Sequence, residues 1–212
     1  MSTTLAEFTD QIRANIRRGT ALDGLIPGFI RKGALWIERN NTLQYMRKFS
    51  EIDIDILADE QPRYISLINT RIKSILMLRW VLNSGEFSYL ALRDASDFPL
   101  SPVGTPAGYW LDGVDRIVLS STPSENLHGE LIVARYTDWP TIPTATHWLI
   151  DNAEDVLEAQ AMIAFAKHAR DEGAMAFWKG VFDAALPGLY AADAEMTWSN
   201  ADLAMEYYGT NS

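Results

Sequence analysis

Three histidines, His128, His147 and His168, are the side chains of this 212-residue chain best suited to proton transfer or metal binding near neutral pH. They fall in a predicted turn, a linker and a helix. Their spacing matches no His-x-x-x-His pair and no glutamate-linked zinc motif. His168 lies on an alanine-rich helical face and reads as a core or interface histidine. Asp151, Asp155 and Glu158 recur at helical spacing on one face, and such a group does acid–base work only where burial raises one of its pKa values. A solvated acidic face is the simpler reading. The chain carries no Gly-x-Ser-x-Gly elbow, no Walker loop and no Gly-x-Gly-x-x-Gly turn. It has no cysteine, which removes disulfides, thiolate metal sites and thiol nucleophiles. The expectation is a protein that is not an enzyme and takes neither cofactor nor metal.

Aromatic residues offer a second kind of chemistry. Trp80, Trp110, Trp139 and Trp148 lie in or just after a β-rich stretch, and tryptophans exposed on one sheet face would make a carbohydrate-binding module. In a small sandwich most such rings are core. Glycan binding is therefore the alternative function.

The elements that must position these residues follow from periodicity. Leu5, Phe8, Ile12 and Ile16 form one helical stripe, with Glu7 and Asp10 early and Arg13, Arg17 and Arg18 late, as the helix dipole favours. Pro27 opens a second helix running to about Arg39, with Phe29, Ile30, Ala34 and Ile37 as its apolar face and Asn40-Asn41 as its end. From Leu43 the period becomes two: Ile52, Ile54 and Ile56 alternate with acids. Tyr64 to Leu67, the doubly apolar run Ile72 to Leu82, Phe87 to Leu92 and Glu130 to Tyr136 predict further strands. A loop rich in Pro, Ser and Gly spans Asp94 to Gly108. Asp112-Gly113 predicts a two-residue hairpin turn between Tyr109-Trp110-Leu111 and Ile117-Val118-Leu119. The count is five to seven strands. Helix returns at Asp151, with Glu154 as a capping-box partner, and Leu157, Ala161, Ala164 and His168 share a face. Glu172-Gly173 marks a stop, and a second helix carries Ala174, Phe177, Trp178, Val181 and Ala185 to Pro187. A short helix follows from Leu189 to Trp198.

The fold class is thus α+β: a helical body of 1–42 and 149–198, an inserted small antiparallel sheet or sandwich of 43–148, and a flexible C-terminal tail of 199–212. No run of about 18 apolar residues predicts a membrane span, and the first residues lack a signal-peptide core, so the protein is expected to be made in a cytoplasm. Net charge is −10, unevenly spread: +4 over 1–49, −6 over 50–149 and −8 over 150–212. An acidic body argues against a nucleic-acid grip, though it suits a channel along which a polyanion slides without sticking.

Several local patterns carry a resemblance. Gly104-Thr105-Pro106-Ala107-Gly108-Tyr109 precedes the hairpin. Val133-Ala134-Arg135-Tyr136 ends a strand and leads through a linker to Trp148-Leu149. An alanine-rich helix after an acidic start is then followed by Ala174 to Trp178, with Phe182 one turn on. From about Leu5 to Trp198 the chain resembles the head-to-tail adaptor (connector) proteins of tailed bacteriophages. It departs from them where Pro123 only partly matches the prolines after the hairpin, and where Pro140 and Pro143 stiffen the linker. The resemblance implies a structural protein of the virion neck, a homo-oligomeric and commonly dodecameric ring. Such a ring joins the portal protein ring to tail or nozzle proteins while DNA passes through without sequence-specific binding. It implies portal contact by a C-terminal arm, for which Trp198, Tyr207 and Tyr208 are the candidates. The basic N-terminal segment, with Arg13, Arg17 and Arg18, is expected to face a neighbour's acidic helices and set the ring register.

Overall fold

The computed structural model describes residues 3–16, 20–54, 64–67, 71–81, 86–94, 96, 103–113, 116–124 and 126–209, with side chains described throughout these except at 20–21, 48–54 and 197–209. The chain is an α+β protein of two compact units. One joins Met1–Tyr45 to Asp138–Ser212, and the other is Met46–Thr137.

The helical unit holds α1 (Leu5–Ile16), a 3-10 turn (Thr20–Leu25), α2 (Ile26–Asn40), α3 (Trp148–Asn152), α4 (Glu154–Ala169) and α5 (Glu172–Gly209). Thr4 and Glu7 form a reciprocal capping box on α1: the Thr4 N–H donates to Glu7 Oε2 at 2.8 Å, and the Glu7 N–H to Thr4 Oγ1 at 3.3 Å. The carbonyls of Ala145 and Pro143 accept from the Leu5 and Ala6 N–H groups at 2.9 and 3.0 Å. The segment read as a stiff linker therefore finishes the start of α1, and this places 138–147 with the helices, outside the insertion. On α1 the expected stripe buries Phe8, Ile12 and Ile16.

At the centre lies α4. It buries Val156, Leu157, Ala159, Gln160, Ala161, Met162, Ile163, Phe165 and Ala166, which cover its whole circumference rather than one stripe. Helices α1, α2, α3 and α5 all pack against it. Gly33 of α2 sets the closest approach: an added Cβ would stand 3.0 Å from the Ala161 nitrogen and 3.2 Å from Gln160 Cβ.

Three helix-end expectations are corrected. Asp151 belongs to α3 and accepts the Thr146 hydroxyl at 2.9 Å, so it does not cap α4, whose N-cap is Ala153 with no side-chain bond. Helix α4 ends at Arg170 in the left-handed region (φ 54°), not at Gly173. Asp171 then caps α5 by accepting the Ala174 N–H at 2.9 Å. Helix α5 neither stops at Pro187 nor frays into a tail at 199; its backbone is helical to Gly209. Proline there forfeits one backbone hydrogen bond. Phe182 and Leu189 on either side of it are both buried, Asp193 accepts the Gln44 N–H at 2.6 Å, and the Tyr190 hydroxyl donates to Asn41. Packing on both sides of Pro187 outweighs the local signal.

The inserted unit is a two-sheet sandwich. Strands β1 (Arg47–Ile54), β8 (Leu127–Arg135), β3 (Ile72–Val81) and β4 (Phe87–Tyr89) lie in that order in one antiparallel sheet. Strands β2 (Tyr64–Ser66), β7 (Arg116–Leu119), β6 (Gly108–Asp112) and β5 (Ala91–Leu92) make the other. The described strands number eight, not five to seven, and β5 pairs with β6 in parallel, so the second sheet is mixed. As expected, β3 is internal, with β8 and β4 as neighbours. The hairpin is present, but Asp112 pairs with Arg116, which leaves three residues in its loop instead of two and Gly113 at φ 71°.

Both sheets share one core, built from Ile65, Leu78, Trp80, Tyr109, Ile117 and Leu131 among others. Trp80 has no exposed surface and faces Gly129 across the strand pair. A Cβ on Gly129 would fall inside the Trp80 ring edge and 2.9 Å from the Arg79 carbonyl oxygen. The largest side chain of the core is seated on the residue that has none. Gly129→Ala is expected to lower the urea stability of this unit by about 1–3 kcal/mol through overpacking. Gly180→Ala, where an added Cβ meets nothing within 4 Å on α5, should instead stabilise by up to about 1 kcal/mol.

Candidate functional site

The residues marked out by sequence disperse. His168 is exposed at the end of α4, its ring 5.4 Å from Phe29, so it is not a core histidine. His128 sits on β8 of the sandwich rather than in a turn. Asp151 lies on α3 and Asp155 and Glu158 on α4, with the chain broken at Ala153, so the three do not share one helical face. Glu158 is held above the ordinary carboxylate range, first by burial and then by Glu154, against a hydrogen bond from Asn15. Among the described residues no group of three His, Cys, Asp or Glu is arranged to hold a metal ion.

The tryptophans also divide. Trp80 is wholly buried in the sandwich, Trp110 is half-buried there, and Trp139 and Trp148 belong to the helical unit. They make no common platform on a sheet face. Arg13 pairs with Asp10 and lies 3.2 Å from Asp23 of its own chain, while Arg17 and Arg18 fall outside the described residues. Trp198, Tyr207 and Tyr208 stand on the C-terminal part of the α5 backbone, beyond the last described side chain. The Gly104 to Tyr109 motif proves to be a latch. The Ser120 hydroxyl accepts the Ala107 and Gly108 N–H groups at 3.0 and 3.2 Å, and Ser121 donates to the Gly104 carbonyl at 3.1 Å.

Two features of the helical unit were not read from sequence. The first is a buried polar cluster around His147. Its Nδ1 accepts the Leu149 N–H at 3.3 Å and caps α3, so the neutral ring carries its proton on Nε2. That nitrogen lies 3.9 Å from Glu38 Oε1, too far for a hydrogen bond. Glu38, only 2% exposed, accepts from Trp148 Nε1 at 3.3 Å. Trp139 lies 4.8 Å from the His147 ring. Tyr45 stacks on Trp148 at 4.9 Å and donates its hydroxyl to Asn152 Oδ1 at 2.9 Å. Burial pushes the His147 imidazole down to about 4, with Asp151 acting weakly in the opposite direction. A histidine that stays neutral, spends one nitrogen on a backbone cap and is packed by two indoles is suited to holding α2 and α3 together. The only sequence signal for it was the Trp148 and His147 adjacency; Glu38 is more than a hundred residues away.

The second feature is a groove of about 510 Å³ between α2, α4 and α5. Trp36, Ile163, Met175 and Phe182 supply apolar walls, with Trp36 edge-on to Phe182 at 5.3 Å. Gln160 contributes from α4, and Lys167, Lys179 and Asp183 stand around the groove. It is of a size that takes a few side chains of a partner. Sequence patterning did not show it because Trp36 and Phe182, 146 residues apart, meet only once α2 and α5 both pack against α4.

Neither a protein-family model nor a curated protein matches the chain. Among solved structures, a chain from the neck of an empty GTA particle, computed with C6 symmetry, aligns over 84% of this chain and 87% of that one, at 16% identity and a TM-score of 0.27. A likeness at that TM-score carries no argument about fold or function. Among the described residues no helix is long and apolar enough to cross a membrane.

The His147 environment gives a pH dependence. Because its folded pKa is depressed, the unfolded chain binds the extra proton. The contribution is complete above pH 6.5 and is lost as pH falls toward 4, in all roughly 3 kcal/mol. His147→Asn keeps an acceptor for the Leu149 N–H and removes the titration. Urea unfolding across that window should show a shallower loss of stability for the variant than for the parent.

Proposed function

We propose that this chain is a structural, non-catalytic protein of a virion neck, a head-to-tail adaptor that forms a homo-oligomeric ring between portal and tail. The observation that carries the reading is the organisation of the helical unit. Both chain ends build one body, the β unit is inserted between them, and α5 outruns its partner. Helix α4 has 16 residues, about 24 Å, whereas α5 has 38, about 57 Å. The hairpin with α4 and the contacts of Leu189, Tyr190 and Asp193 with their own chain occupy α5 as far as Asp193. The remainder is the natural arm for a second protein, and Trp198, Tyr207 and Tyr208 are proposed as its portal-facing residues, since aromatic side chains bury much area apiece.

The charge distribution supports the same role. Closing a ring multiplies the −10 of each subunit, and an acidic channel repels DNA phosphates so that DNA passes without a sequence-specific grip. The basic segment with Arg13, Arg17 and Arg18 is proposed to meet a neighbour's acidic helices. Assembly in the host cytoplasm and residence in the virion follow from the role. The glycan-binding alternative loses its motive, because the four tryptophans divide between two units.

Two outcomes test this reading. Co-sedimentation with the portal ring encoded beside it, viewed in negative stain, should yield a new collar beneath the portal; a folded protein that ignores a competent portal overturns the adaptor role. Replacing Arg13, Arg17 and Arg18 together by Glu should abolish ring formation on the portal, and normal rings from that variant would remove the electrostatic register.

A further inference from the structure

We propose that the cationic end of the α2–α4 pair, where Lys32, Lys167 and Arg170 gather, docks the acidic first turn of α4, with Glu154 and Asp155, from a second copy of this chain. The contact deepens the ring reading and rests on it for closure into a ring.

Helices α2 and α4 run antiparallel, with Gly33 against Ala161 and the Phe29 ring 5.8 Å from Phe165 and 5.4 Å from His168. Phe29 is the point at which the cations collect. Lys32 Nζ stands 5.9 Å from the centre of its ring, and Lys167 precedes His168 in the last turn of α4. Arg170 then closes that helix. Lys32, Lys167, His168 and Arg170 are all exposed. The two lysines and the arginine make no ion pair among the described residues. Asp171 and Glu172 follow directly, but Asp171 caps α5 through the Ala174 N–H and neither acid forms an ion pair with these cations.

The complementary surface is the other end of the same helix. Glu154 and Asp155 open α4, the first half-buried and the second exposed, with Glu158 one turn on. None of the three makes an ion pair among the described residues. Glu158, which accepts a hydrogen bond from Asn15, is held above the ordinary carboxylate range first by burial and then by the Glu154 charge. The carboxylates therefore stand close enough to repel one another, and cations brought from outside relieve that repulsion.

One chain cannot join its own two ends. Asp155 and Lys167 are fixed about 18 Å apart along one continuous helix. A second copy brings its acidic turn to the first copy's cationic end and leaves its own cationic end open for a third. A contact between two different surfaces of identical chains is head-to-tail, and repetition generates a ring when the rotation closes. Charge selects this occupant over a nucleic acid. A duplex presents one negative charge per about 1.7 Å and would run on past the patch over a body of net charge −10, whereas a short acidic turn matches the cations in extent. The surface is separate from the Arg13 segment, whose described arginine already pairs with Asp10 of its own helix.

The test uses two full-length reversal proteins, Lys32→Glu with Lys167→Glu in one and Glu154→Lys with Asp155→Lys in the other, each checked for folding by circular dichroism. In either protein alone, like charges face each other across the contact. Self-association is expected to fall by roughly tenfold or more, read by sedimentation velocity and by collar formation on the portal ring. Mixing the two in equal amounts should restore it, because each surface of one then meets its opposite on the other. Misfolding cannot produce that rescue. No recovery on mixing, or a normal collar from either protein alone, overturns this contact and leaves the neck role standing. A second readout uses the parent chain, isotope-labelled and unlabelled copies being mixed and coupled with a carbodiimide. Lys32 or Lys167 joined to Glu154 or Asp155 across two copies is the expected product, and its absence both free and on the portal overturns the contact. Cross-linking and rescue in a protein that ignores the portal keep the contact and overturn the neck role. Duplex DNA held by the parent and released by Lys32→Glu with Lys167→Glu, with self-association unchanged, assigns the cations to phosphate and overturns the contact.

Discussion

Helix α4 buries nine of its 16 residues, spread around its axis instead of along one stripe. From Val156 to Ala166 every residue but Glu158 and Gln160 is apolar, the buried positions run around its circumference, and burying such a helix requires neighbours on every side. The chain meets that demand from both directions: α1 and α2 come from before the β unit, and α3 and α5 from after it. The insertion of the sandwich follows from this constraint. A helix that must be enclosed by both ends of the sequence leaves the middle of the chain to fold by itself. The alanines of α4 and Gly33 of α2 allow the backbones to approach closely, so the enclosure is tight as well as complete.

The polar cluster around His147 sits at the edge of that enclosure and explains why residues 138–147 are part of the helical body. A buried carboxylate is tolerated only with hydrogen-bond partners, and Glu38 takes the Trp148 indole N–H while the His147 ring stays neutral beside it. The same segment gives carbonyls to the first N–H groups of α1. Its prolines cost no donors that the structure needs there, and they limit the freedom that the segment would otherwise have to lose.

The sandwich solves a different problem, that of fitting a tryptophan between two sheets only four strands wide. Trp80 fills the space, and Gly129 opposite makes room for it. The serines after β7 tie down the stretch before β6, which lets a sheet with a two-residue edge strand hold its shape. The described side-chain chemistry of this unit is that of capping and packing.

Sequence by itself determined the α+β class, the helical stripes of α1 and α2, the internal position of β3 and the presence of a hairpin at Asp112-Gly113, though not its three-residue loop, because each rests on a local period or a turn preference. It placed helix ends poorly, at Asp151, Gly173 and Pro187. Such ends are decided by whichever cap or packing partner arrives from elsewhere: Thr146 took Asp151, Arg170 adopted the left-handed turn, and Phe182 with Leu189 carried α5 through its proline. The scattering of the histidines, acids and tryptophans was beyond local reasoning for the same reason. Only tertiary structure could bring Glu38 to His147, or set Trp36 and Phe182 around Gln160. Side chains separated by a hundred residues or more meet only through the burial of α4, and no period in the sequence records that meeting.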